Sequence, residues 1–224
     1  MKKIFLFVLL ACIGGIVEAQ SCDHYLFLQD GKTIEMTVYN RRGKTTGINT
    51  YTVNEVRSSG GKRTGNITMV MADNKGKESA SATTQFTCSG DTYTIDMASF
   101  IPAGQMEQMK DLESKGDFTL SYPSNMKPGD TLEDGEMTME AVTSGIRAEI
   151  EMKITDRKVV DKETVTTTAG SWECMKITSK MNMRVRMAGI GIPVNMESTE
   201  WFAPGVGIVQ TESKHGKTAI TAIR

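Results

Sequence analysis

Alternation of apolar and polar residues with a period of two is the feature that most constrains this chain. In KTIEMTVYN, Ile34, Met36 and Val38 alternate with Thr33, Glu35 and Thr37. That period sends successive side chains to opposite faces of a β-strand. It recurs in TGINTYTVNEV, GNITMVMAD, GDTYTIDMASF, GEMTMEAV, IRAEIEMKITDRKVV, the run from Trp172 to Met187, IPVNMESTEWF, VGIVQTES and KTAITAI. Turn signals separate the runs: Gly31-Lys32, Arg42-Gly43, Gly60-Gly61, Asn74-Lys75-Gly76, Ser89-Gly90-Asp91, Gly189-Ile190-Gly191 and His215-Gly216. Such residues supply the positive-φ positions of tight hairpins. Connections this short join antiparallel neighbours. The pattern predicts a mostly β protein.

One segment departs from the pattern. In SFIPAGQMEQMKDLESKGDF, Pro102 stands near a helix start, and Met106, Met109 and then Leu112 or Glu113 follow at helical spacing. This predicts a short amphipathic helix over about residues 103–114, bounded by Gly116. It is either a lid over an open edge or cavity, or an ordinary connection packed on the core.

The first residues set the compartment. Lys2 and Lys3 precede an apolar run from Ile4 to about Val17. The run is too short for a spanning helix of roughly 20 residues and reads as a secretory signal peptide. Val17-Glu18-Ala19 places compact residues at a cleavage site, so residues 1–19 are expected to be removed. The rival reading takes Leu9-Leu10-Ala11-Cys12 as a lipoprotein signal, but it wastes the apolar residues after Cys12. Residues 20–224 are then a single antiparallel β domain in the periplasm or cell envelope.

Charge excludes some partners. Lysines plus arginines number 26 against 27 acidic residues, with no long basic run. Nothing in that balance attracts nucleic acid or an anionic membrane. Only 6% of the residues are aromatic, too few for stacking platforms along a single strand.

Export permits a disulfide among Cys22, Cys88 and Cys174. In WECMKITSKMNMRVRM, Cys174 shares a face with Lys176, Lys180 and Arg184, which argues against a buried inert thiol. In a meander Cys22 would start the first strand and Cys88 end about the fifth, at opposite ends of the sheet. Parity therefore favours Cys88 with Cys174; the alternative is that none pair.

The stretch STEWFAPGVGIVQTES could be a binding site or a corner. Trp201 and Phe202 end one strand, and Pro204 cannot donate to a ladder. Gly205 and Gly207 permit a turn or bulge before Ile208 and Val209 start the next strand. Each residue type has a structural reason, so the stretch reads as a corner.

Catalytic and metal signatures are missing from the sequence. His24 and His215 are the only histidines, and no H-x-x-x-H or C-x-x-C pair exists. Neither G-x-S-x-G nor a phosphate-binding glycine loop is present. Glu149 and Glu151 lie on the solvated side of a strand and do not form a legible acid–base dyad. The expectation is a non-enzymatic protein with no cofactor and no metal.

Methionine is the unusual residue: sixteen in all, several in M-x-M pairs. These side chains are flexible core filler, or the lining of a cavity that adapts to a greasy ligand, or thioether ligands for copper(I). The pairs sit mid-strand on apolar faces, which disfavours copper.

Several stretches resemble the TapB-like family of uncharacterised exported bacterial proteins, a domain of unknown function. They are IEMTVYNRRGKTTGINTYTV, FTCSGDTYTIDM, YPSNMKPGDTLEDGEM, DRKVVDKETVTTTAGSWECMKI and EWFAPGVGIVQTES. The most specific piece runs from Ala169 and Gly170 through Trp172 to Ile177; the second is Trp201 with Gly205 to Val209. Thr168 and Trp172 depart from the proline and phenylalanine usual in that family. The resemblance implies a single curved, mostly antiparallel sheet of the open-barrel or clam type and no catalytic residue. It is similar in outline to periplasmic carriers of lipoprotein acyl chains.

Two functions follow as expectations. In the first, the concave face binds a lipid-like or apolar ligand through Met36, Met69, Met137, Met139, Met181, Met183 and Met187. In the second, an envelope assembly protein with a filled core meets a partner through an exposed strand edge or loop. Gly170, Trp172, Trp201, Pro204, Gly205 and Gly207 are structural corners in both.

Overall fold

The computed structural model describes residues 22–97, 113–115, 118–143, 146–187 and 190–224. Its strands are β1 (Thr33–Asn40), β2 (Thr45–Ser59), β3 (Lys62–Asp73), β4 (Glu78–Ser89), β5 (Thr92–Asp96), β6 (Glu113–Lys115), β7 (Thr119–Pro123), β8 (Gly135–Thr143), β9 (Ile146–Thr167), β10 (Gly170–Met187), β11 (Ile190–Ala203), β12 (Gly207–Ser213) and β13 (Gly216–Ile223). All belong to one antiparallel sheet in the order β6-β8-β9-β10-β11-β12-β13-β1-β2-β3-β4-β5-β7. The sheet is nearly closed into a barrel. Most neighbours are joined by hairpins whose turn glycines take positive φ, among them Gly60 and Gly61 at +57° and +77°. The mostly β expectation from the alternation and the single antiparallel sheet that the resemblance implied therefore both hold.

The helix expected over 103–114 falls mostly outside the described residues. Its last two positions, Glu113 and Ser114, are part of β6. One end of the barrel is plugged by the segment before β1. Two 3-10 turns, Cys22–His24 and Leu26–Leu28, bury Tyr25, Phe27 and Leu28 against the sheet. The Arg63 Nε donates to Leu28 O at 3.0 Å, and Leu26 N donates to Val206 O at 3.4 Å. Gly65 is needed here, since a Cβ at that position would lie 2.3 Å from the Phe27 carbonyl oxygen.

This plug corrects the cysteine reading. Cys88 pairs with Cys22, at a Cα–Cα distance of 5.6 Å, and not with Cys174. The meander argument put Cys22 on the first strand; it stands in the plug, which folds back to the end of β4. Cys174 is a free thiol and is fully buried. It does lie on the outward face with Lys176, but that face is covered there by a second apolar cluster of Val165, Cys174, Trp201, Ala203 and Val209, with Trp172 against it. Burial pushes the Cys174 thiol up to about 11.

The main core packs inside the barrel. Tyr25 stacks on Tyr93 at 4.2 Å between ring centroids, and Tyr122 stacks on Phe202 at 4.7 Å. Trp201 and Phe202 face opposite ways: Phe202 joins the main core and Trp201 the outer cluster. A register shift between them, with Gly205 at φ +80° and Gly207 at φ +113°, makes the corner into β12. At the other corner, a Cβ on Gly170 would meet the Trp172 ring at 2.9 Å. Outward positions such as Lys153, Lys158, Lys180 and Arg184 are exposed. An apolar interior with a polar exterior is the inverse of a transmembrane barrel.

Candidate functional site

A cavity of about 500 Å³ lies inside the barrel, a size within the usual ~300–1,000 Å³ range of small-molecule sites. Its inner end is formed by the buried Phe27, Phe86, Ile95, Ile154 and Ile208. Its rim carries Tyr39 and Thr46 from β1 and β2, with His215 and Lys217 from the β12–β13 hairpin. The plug and the rim are thus at opposite ends of the strands.

The alternation on β10 and β11 builds one wall. Register pairs Met181 with Met196, Ser179 with Ser198 and Ile177 with Glu200. Five of these six side chains line the cavity; Ile177 is packed in the core. Met36, Tyr51 and Met71 face them from β1, β2 and β3. Among the seven methionines marked by the sequence, Met36 and Met181 line the cavity. Met69, Met137 and Met183 are buried in the packed core, and Met139 packs partly buried against it. Met187 ends β10, and its side chain lies outside the described residues. Met71 and Met196 also line the cavity and were not marked, although Met71 shares the inward parity of Met69.

One carboxyl lies at the inner part of this wall. Glu200 is 4% exposed. The Tyr122 hydroxyl donates to its Oε2 at 2.8 Å. Burial raises the Glu200 carboxyl above its ordinary value, opposed by the charge of Arg157 and the Tyr122 hydrogen bond. Desolvation is also the main cause that holds the Tyr122 hydroxyl well above its usual value.

Arg157 completes the buried polar group. Thr178 pairs with Lys158 and Lys180 with Thr155, so Asp156 and Arg157 stand opposite the single residue Ser179. Asp156 takes φ +55° in this bulge, and the extra residue turns Arg157 inward. Arg157 is fully buried, with its guanidinium carbon 4.6 Å from the Tyr122 ring centroid. Its Nη1 donates to Ser121 O at 3.2 Å and Glu133 O at 2.8 Å. It thereby ties β7 to β9 across the gap in the barrel. Residues 129–132 close the same gap: Gly129 N donates to Val159 O at 2.7 Å and Leu132 N to Arg157 O at 2.9 Å.

The arrangement can hold a small apolar body, with the β10–β11 wall presenting two hydroxyls and a carboxyl to it below a polar rim. Among the described residues, no group of three or more His, Cys, Asp or Glu side chains converges in a way that could hold a metal ion.

No functionally curated protein matches the chain. Two solved structures do. A Bacteroides fragilis protein described as exported, with a YmcC-like fold, is 27% identical at a TM-score of 0.69, over 88% of this chain and 96% of its own. A Parabacteroides distasonis protein described as a lipoprotein is 18% identical at a TM-score of 0.71, over 89% of this chain and 99% of its own, a likeness of fold alone. The TapB-like name suggested by the motifs is not the one the family comparison returns. The family model that matches covers residues 29–222, and by it the chain belongs to the DUF3108-like family.

Proposed function

We propose that this chain is a non-enzymatic, exported envelope protein that binds an apolar, lipid-like ligand inside its barrel. Residues 1–19 act as its signal peptide. The observation that carries the reading is the cavity of about 500 Å³ walled by Met36, Met71, Met181 and Met196. Thioether side chains are unbranched and polarizable, so they re-pack around ligands of differing shape. The exported description of the Bacteroides fragilis relative supports the compartment. The assembly alternative, pairing through a strand edge, is disfavoured at β7, whose outer side is tied to β9 through Arg157.

Binding of N-phenyl-1-naphthylamine, a neutral apolar fluorophore, tests the proposal. The wild-type protein is expected to enhance its fluorescence saturably. Ser198→Trp puts an indole into the cavity and is expected to weaken binding at least about tenfold, or ~1.4 kcal/mol. Absence of binding to the wild type, or unchanged binding to S198W, overturns the proposal.

A further inference from the structure

The cavity has a polar rim that includes Tyr39, Thr46, His215 and Lys217, a methionine-lined wall below it, and one carboxyl, Glu200, deeper in. Along β11 the inward positions run Met196, Ser198, Glu200, and the register with β12 pairs Ser198 with Ser213 and Glu200 with Thr211. Since Ser213 adjoins the hairpin tip, Glu200 lies deeper than Ser198. At about 3.3 Å per residue it stands ~13 Å along the strand from Met196. Ser179 and Ser198 bond to each other at 2.9 Å, one step nearer the rim. These three side chains form a polar strip on an otherwise greasy wall.

The strip presents a carboxyl and not a guanidinium. Arg157 does not line the cavity. It sits over the Tyr122 ring, with Nη1 committed to two backbone carbonyls. Tyr122 occupies Oε2 of Glu200, and no other hydrogen bond to this carboxyl is made among the described residues. A buried carboxyl with acceptor capacity left over is stabilised by a donor, and the bond is stronger when the donor is charged. An anionic head in the same place meets like charge whenever Glu200 is ionised, with Arg157 the nearby opposing charge.

Resting on the binding reading above, we infer that the ligand is an amphiphile whose polar end is a hydrogen-bond donor, a hydroxyl or ammonium group seated against Glu200. Its alkyl part extends toward the rim between Met36, Met71, Met181 and Met196. A carboxylate head is disfavoured in this seat.

The experiment is displacement of bound N-phenyl-1-naphthylamine at neutral pH by decylamine, decanol and decanoate, which share a chain length and differ in the head. Decylamine and decanol are expected to displace the probe at about tenfold lower concentration than decanoate, the scale of one charge-assisted hydrogen bond. Glu200→Gln is expected to bring decylamine and decanoate to within about threefold of each other, each measured relative to the variant's own affinity for the probe. Decanoate competing as well as the other two on the wild type overturns the inference, as does an unchanged ranking in E200Q. If E200Q does not fold, the wild-type ranking decides alone. Failure of the probe to bind the wild type removes the binding reading itself, and this inference with it.

Discussion

The Tyr122 hydroxyl donates to Glu200 Oε2 at 2.8 Å, so a tyrosine of β7 holds a carboxyl of β11 against the barrel interior. Both side chains are buried. Removing the hydroxyl leaves the carboxyl without its donor. Tyr122→Phe is expected to cost about 1–3 kcal/mol of stability in urea denaturation, with the fold retained. A variant as stable as the wild type would mean that the bond contributes nothing net.

The same carboxyl gives stability a pH dependence of defined sign. Burial raises it above its ordinary value, so the folded state keeps its proton to a higher pH than the unfolded chain does. Its contribution is fully present below the ordinary carboxylate range and is lost as pH rises through the raised value. Urea midpoints measured at a series of pH values are therefore expected to shift in favour of Glu200→Gln, relative to the wild type, as pH rises through that window. A wild-type minus variant difference that stays constant with pH contradicts this.

Arg157 links β9, β7 and the 133 carbonyl while lying over Tyr122. Truncating it leaves two carbonyls without donors and Glu200 without its nearby positive charge. Arg157→Ala is expected to destabilise by about 3–5 kcal/mol, as for one partner lost from a buried charged pair. Adding E200Q should cost less than the sum of the two single changes, because both act on one network. Strict additivity would show that Arg157 works only through the backbone carbonyls.

Thiol chemistry separates the cysteines. In the native protein lacking residues 1–19, a water-soluble disulfide reagent is expected to find no reactive thiol, because Cys174 is buried and its pKa stands at about 11. On unfolding without reductant, one thiol per chain should react. Replacing Cys22 and Cys88 by alanine is expected to cost about 2–5 kcal/mol, through release of the plug. A second thiol in the unfolded, unreduced protein would contradict the pairing.

The strands were legible because their alternation is local: Ile34, Met36 and Val38 announce β1 without reference to anything distant. The cavity was legible only in part. Met36 and Met181 line it, but so does Met71, and whether an inward methionine meets another side chain or empty space depends on how the barrel curves. Two features broke the local rule. The bulge at Asp156 shifts parity by one residue, so a reading continued from Ile150, Met152 and Ile154 puts Arg157 in water. The plug brings Cys22 back to Cys88 before the first strand begins, and no periodicity marks it. Glu200 did carry a signal, as an acid on the same face as Met196 and Ser198, but only the barrel shows that this face is interior.

Native mass spectrometry of the protein purified from a periplasm without detergent tests the central claim most directly. The account predicts adducts of lipid mass that disappear on denaturation and are weakened in S198W. A single ligand-free mass, unchanged after incubation with total lipid extract, would contradict it.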